Sequence, residues 1–168
     1  LIDDGMDTLH SDLQPALWHN TKEIKGNGFD DDNNGYTDDF FGWDAADSDN
    51  DPSVVSSNGL SHGTHCGGIA GARTDNNNGI ASVGFNIRIM PVKVGRTGQQ
   101  VLFNVYQAVE YAIVNKANVI SMSLGGGGYS NTFQTLFDVA YQRNIVCVAS
   151  AGNSSDSARN YPAAYRHV

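Results

Sequence analysis

Cysteine, proline and basic residues are all scarce in this chain. Two cysteines, Cys66 and Cys147, are too few for a disulfide framework, and both fall in apolar surroundings that suit free core thiols better than a bridge. Ten Lys and Arg stand against 18 Asp and Glu, a net charge of −8, which argues against nucleic acid or an anionic membrane as a partner, since both demand basic patches. No apolar run approaches the ~20 residues of a membrane span. With 40% hydrophobic and 17% charged residues the chain reads as one globular domain or a piece of one.

Glycine, by contrast, is abundant, and it gathers where the chemistry gathers. From Ser61 to Gly71 the sequence begins like a helix, with Ser61 placed to cap free backbone N–H groups. Yet Gly63, Gly67, Gly68 and Gly71 fall inside it, each costing a helix roughly 1 kcal/mol against alanine. Such a cost implies that another backbone or a ligand comes very close. His62 and His65 sit in the first turn, where the helix dipole disfavours a charged imidazole. A histidine that must gain a proton there needs a carboxylate to hold it, and His62 reads as a catalytic base. A zinc reading of the His-x-x-His pair fares worse, because no Glu follows His62 and no cysteine pair adds ligands.

Elsewhere, apolar strands and helices alternate. Leu1 to Gly5 reads as the end of a buried strand, Phe40 to Trp43 as a short strand and Ile87 to Val94 as a longer one. Val101, Val105, Ala108, Val109, Ala112 and Ile113 recur at helical spacing. Val119 to Leu124 is the next strand, followed by Gly125 to Gly128. A helix through Phe133, Leu136, Phe137 and Ala140 comes next, capped by Ser130 or Asn131 and stopped by Asn144; a last strand runs from Ile145 to Ala149. Continuous apolar strands alternating with helices predict an α/β fold with a parallel sheet covered on both faces.

In such a sheet function collects beyond the carboxyl ends of the strands. Asp3, the Ser123 to Gly126 stretch and Asn153 lie at such ends, and His62 opens a helix. An Asp to orient a His, and an amide to meet a developing oxyanion, are parts of an acyl-transfer site.

These segments resemble those of the subtilisin-type (subtilase) serine endopeptidases. Ile2 to Asp7 resembles the family's aspartate segment, with Asp4 where Ser or Thr is common; Ser61 to Gly68 resembles its histidine segment. Ser123 to Gly126 resembles its substrate-binding strand, and Ala151-Gly152-Asn153 its oxyanion asparagine. The resemblance implies a three-layer, mostly parallel fold with helices on both faces, and an Asp–His–Ser mechanism acting on a protein or peptide substrate. It assigns Asp3 to orient His62, His62 to take the serine proton, and Asn153 to the oxyanion. Ser123, Leu124 and Gly125 would pair with the substrate backbone as an added strand. Ser150, Ala151, Gly152 and Asn160 would line the pocket for the residue before the scissile bond.

The family's Gly-Thr-Ser-Met-Ala nucleophile segment does not occur, so residues 1–168 read as part of a catalytic domain truncated at both ends, and inactive by themselves. An upstream propeptide and an extracellular location are further implications of the resemblance. A Cys66–His62 protease is disfavoured, because a side chain four residues on points back beneath His62. The alternative from another class is a non-catalytic peptide- or calcium-binding module with a degenerate protease fold.

Two stretches read as calcium loops. Asp30, Asp32, Asn34 and Gly35 follow the Asp-x-Asp-x-Asn-Gly opening of an EF-hand-type loop, with Asp38 as a further oxygen, but position twelve is Phe41 rather than Glu. Asp30, Asp31, Asp32, Asp38 and Asp39 repel one another unless a cation intervenes. The second candidate, Asp12 with the Asn76 loop, comes from the family resemblance.

Overall fold

A computed structural model describes residues 1–54, 61–96, 99 and 101–168. The chain divides into two compact units, Leu1–Ala108 and Val109–Val168.

In the first unit β1 (Ile2–Asp3) and β2 (Trp43–Asp44) both pair in parallel with β3 (Val92–Lys93), so that Val92 lies in register with Ile2 on one side and with Trp43 on the other. The last of them, β3, is shorter than its apolar run suggests, and Pro91 supplies the reason. It has no N–H for a ladder. The predicted Ile87–Val94 strand therefore splits around it: Ile89 bridges to Leu17, while Val92–Lys93 joins β1 and β2. Phe40 and Phe41 lie outside any strand and pack their rings against His19, with centroids 5.2 and 5.1 Å away. Met6, Leu13, Leu17, Ala72 and Ile89 form a buried cluster beside α1 (His62–Gly71).

In the second unit β4 (Val119–Met122) and β5 (Val146–Ala149) pair in parallel, Val119 opposite Val146 and Met122 opposite Ala149. Between them in sequence, α3 (Asn131–Gln142) buries Leu136, Phe137 and Ala140, the face expected from its spacing. Asn144, at φ 59°, turns the chain out of that helix. The remaining helix, α2 (Val105–Val114), carries the division between the units. Val101, assigned to it by periodicity, lies before its start and is 58% exposed.

Among the described residues the strands β1–β3, β2–β3 and β4–β5 all pair in parallel, as an α/β fold requires. Coverage on both faces is not complete. Ile120, Met122 and Cys147 are buried, whereas Val119, Val146 and Val148, on the opposite face of the pair, are about half exposed.

Candidate active site

Asp3 ends β1 and His62 opens α1, so the strand end and the helix start bring together residues 59 positions apart. Asp3 Oδ1 lies 2.7 Å from His62 Nδ1 and also accepts the Asp4 N–H at 2.8 Å. The Asp3 side chain is 7% exposed and that of His62 55%. The far imidazole nitrogen, Nε2, is therefore the one left for a proton from elsewhere. The hydrogen bond to Asp3 raises the pKa of His62 above its ordinary value, with burial working against it and the charges of Asp3 and Asp4 adding to it. Burial pushes Asp3 itself upward, opposed by its bonds to His62 and Asp4.

The helix start is held by a residue that sequence reasoning passed over. Asp4 accepts the His62 N–H through Oδ2 at 3.1 Å and the Gly63 N–H through Oδ1 at 2.8 Å. Ser61 accepts the Thr64 N–H at 3.0 Å, as its capping position implies. A carboxylate and a hydroxyl thus satisfy the free N–H groups of α1 and fix the direction in which His62 leaves the backbone. The signal was present in the sequence as the acidic residue where the family commonly has Ser or Thr.

Gly63 explains the cost that α1 bears in glycines. A Cβ there would overlap the Gly5 carbonyl oxygen and come within 2.9 Å of Asp3 Cβ. The missing side chain is what lets α1 press His62 onto Asp3. Gly63→Ala is expected to destabilise the fold by about 1–3 kcal/mol, since two packed backbones must separate. A fall in melting temperature checks this, and an unchanged one would mean that α1 does not sit this close to β1.

Cys66 is half-buried rather than a core thiol, with Sγ 3.7 Å from His62 Nδ1 and 3.9 Å from Nε2. Cys147 is buried in β5, where desolvation pushes its pKa up to about 11. Both are free. His65 is exposed and does not join His62 in any metal-binding group among the described residues.

The predicted substrate-binding and oxyanion residues lie in the second unit, past the ends of β4 and β5. Ser123 and Leu124 are half-buried, and Gly125 is exposed. Ser150 is tied to the end of β4 by its N–H bond to the Met122 carbonyl at 3.0 Å. Asn160 donates to the Ser150 carbonyl at 3.2 Å, and its amide fills the space that a Cβ on Gly125 would need. Gly152, at φ 91°, lies against the same amide: a Cβ there would meet Asn160 Nδ2 at 3.0 Å. The structure therefore gathers Gly125, Ser150, Gly152 and Asn160, with Ala151 and Asn153 exposed in the turn after β5.

The profile of the subtilase family matches residues 1–168. The chain belongs to the subtilase family. It is similar to thermitase of Thermoactinomyces vulgaris, 41% identical over 128 residues that make up 76% of this chain and 44% of thermitase. It is also similar to a thermophilic serine proteinase of Bacillus sp. (strain AK1), 34% identical over 169 residues, covering 100% of this chain and 36% of that one. Among solved structures it resembles fervidolysin of Fervidobacterium pennivorans, described as a keratinolytic enzyme related to subtilisin. There the TM-score is 0.70 at 29% identity, across 96% of this chain and 22% of fervidolysin. The subtilase chain thus spans less than half the length of each of these relatives.

The sites expected to hold calcium differ in their geometry. Asp12 and Asn76 do meet, but Asp12 Oδ1 accepts the Asn76 amide at 2.7 Å and Oδ2 accepts the Ile80 N–H at 3.0 Å. Both oxygens already have donors, and the hydrogen bond from Asn76 is the main cause that lowers the pKa of Asp12. In the acidic loop, Asp30 and Asp32 come together with a residue not predicted, Glu23, one carboxylate oxygen of each lying within 4.8 Å of the others. Asn34 sits between them, its N–H 3.1 Å from Asp30 Oδ1 and 3.2 Å from Asp32 Oδ1. Asp38 is occupied elsewhere: Oδ1 accepts the N–H groups of Gly26 and Asn27 at 2.7 and 3.1 Å, and Oδ2 that of Gly28 at 2.6 Å.

Proposed function

We propose that residues 1–168 carry the acid–base pair and the oxyanion amide of a subtilisin-like serine endopeptidase whose nucleophilic serine lies outside them. The observation that carries this reading is the 2.7 Å contact between Asp3 Oδ1 and His62 Nδ1 at the junction of β1 and α1. An imidazole held through Nδ1 by a buried carboxylate keeps its proton on that nitrogen and presents Nε2 as a base. Nε2 takes the proton of a serine hydroxyl as that oxygen attacks a peptide carbonyl. It then gives the proton to the leaving amine, while Asp3 stabilises the imidazolium in between. Without such a serine, residues 1–168 alone hydrolyse nothing.

The second-unit residues take the substrate roles. The backbone of Ser123, Leu124 and Gly125 receives the substrate as an added strand, and Ser150, Ala151, Gly152 and Asn160 line the pocket before the scissile bond. Asn153 donates its side-chain amide to the oxyanion. Calcium at the acidic loop would hold the folded loop together by neutralising its carboxylates. An upstream propeptide and work outside the cell complete the reading on family resemblance. Among the described residues no helix is long and apolar enough to cross a membrane.

Asn153 separates an enzyme from a module that merely holds peptides. Asn153→Leu in the full-length protein is expected to lower kcat by about 10²–10³ with KM nearly unchanged, because its amide meets charge that exists only in the transition state. That magnitude comes from the matching asparagine of subtilisin, a member of the same family. A peptide-holding module would instead lose affinity and have no rate to lose. A stable variant with unchanged kcat would remove Asn153 from the oxyanion site.

A further inference from the structure

Glu23 presents a problem that its neighbours do not solve. It is 5% exposed, and its Oε1 accepts the N–H groups of Asp31 and Asp32 at 2.9 and 3.2 Å. Its Oε2 is buried with no hydrogen-bond partner. A carboxylate oxygen left so costs free energy that a fold does not bear without return. The surrounding groups make matters worse, since one carboxylate oxygen each of Glu23, Asp30 and Asp32 lie within 4.8 Å of one another. The Asp32 side chain is itself only 5% exposed, and Asp39 is fully buried close by, held by the amides of Asn20 at 2.8 Å and Asn34 at 3.1 Å. Among the described residues one cation reaches the group, Lys22, 3.3 Å from Asp32 Oδ2, but its side chain is 67% exposed and such pairs are weak.

We infer that Glu23 is a direct ligand of a divalent cation of the calcium class, shared with Asp30 and Asp32. The inference rests on the calcium reading of this loop and changes its ligand set. The Asp-x-Asp-x-Asn-Gly opening supplies the early oxygens of a calcium loop but has Phe41 where the closing acid belongs. Glu23 supplies that acid from the other direction along the chain. Its own N–H bonds to the Asn20 carbonyl at 3.2 Å, and the Asp31 and Asp32 N–H groups pin Oε1, which leaves Oε2 as the oxygen without a partner. Asp38, with three backbone N–H groups on its carboxylate, shapes the Gly26–Gly28 turn and is not a ligand. Every donor in the group is a hard oxygen, which selects calcium or magnesium over zinc or copper.

The test compares Glu23→Gln and Asp30→Asn with wild type in the full-length protein. Ca²⁺ is titrated by calorimetry, and Tb³⁺ by luminescence sensitised through Tyr36, which lies in the loop. Glu23→Gln is expected to weaken binding at this site by at least the roughly 10–100-fold that losing even an outer-shell partner costs. In chelator it should melt at or above wild type, because glutamine keeps the Oε1 acceptor and removes an unpaired buried charge. In calcium the order should reverse. Binding lost in Asp30→Asn but kept in Glu23→Gln overturns the role of Glu23 and leaves the calcium loop standing. Wild type without Tb³⁺ or Ca²⁺ binding at the loop overturns both. Glu23→Gln melting equally below wild type in calcium and in chelator, with Tb³⁺ affinity intact, makes Glu23 a backbone acceptor only and also overturns the inference.

Discussion

His62→Ala in the full-length subtilase is expected to lower kcat about 10⁶-fold while the protein stays folded. The size of that loss is the one observed when the histidine or the serine is removed from the subtilisin triad. The prediction that folding survives comes from the structure. The His62 side chain is 55% exposed, and it touches Asp3 and Cys66. The bonds that hold the start of α1 run from backbone N–H groups to Asp4 and Ser61, and alanine keeps them all. A melting temperature near wild type together with a residual rate only about 10³–10⁴-fold above the uncatalysed one is the expected pair of results. A stable variant that retains more than a few per cent of wild-type kcat would remove His62 from the chemistry.

Asp3→Asn should cost about 10⁴-fold in kcat, less than loss of the base, because the imidazole remains but loses its tautomer and the charge that steadies its protonated form. The pH dependence carries the sharper signature. His62 must be neutral to act, and in the folded protein its pKa is raised above 6.5, chiefly by the hydrogen bond to Asp3. The acid limb of kcat/KM should therefore rise with pH around a midpoint above the ordinary histidine value. In Asp3→Asn the midpoint should move down. The sign for stability follows from the same shift: the pair contributes below the unfolded pKa of His62, and the contribution is lost as pH rises through the higher folded value. A limb that stays in place in Asp3→Asn would mean that Asp3 does not set the basicity of His62.

The same pair illustrates how far the chain could be read in advance. Ser61 as a helix cap and the close approach implied by Gly63 are both written in local sequence, and both hold. That Asp3 meets His62 is not local at all. It depends on a strand end and a helix start 59 positions apart, and family resemblance supplied it where periodicity could not. The Ile87–Val94 run forms a shorter strand than hydropathy suggests because Pro91 breaks the ladder. Val146 and Val148 look like two-sided core by composition, yet within residues 1–168 they are about half exposed, since burial is decided by what packs on a face and not by the residues on it.

Glu23 was the least legible, because a ligand that reaches a loop from upstream obeys no loop spacing. One clue existed: Glu23 and Glu110 are the only glutamates in a chain whose other acids are all aspartates.

The central claim, a serine endopeptidase site driven by the Asp3–His62 pair, is tested most directly by covalent labelling. The full-length protein, treated with a fluorophosphonate and digested for mass spectrometry, should carry one adduct, on a serine outside residues 1–168. The same adduct should be absent after His62→Ala. An adduct on Ser121, Ser123, Ser150 or Ser154, or labelling that persists in His62→Ala, would contradict the account.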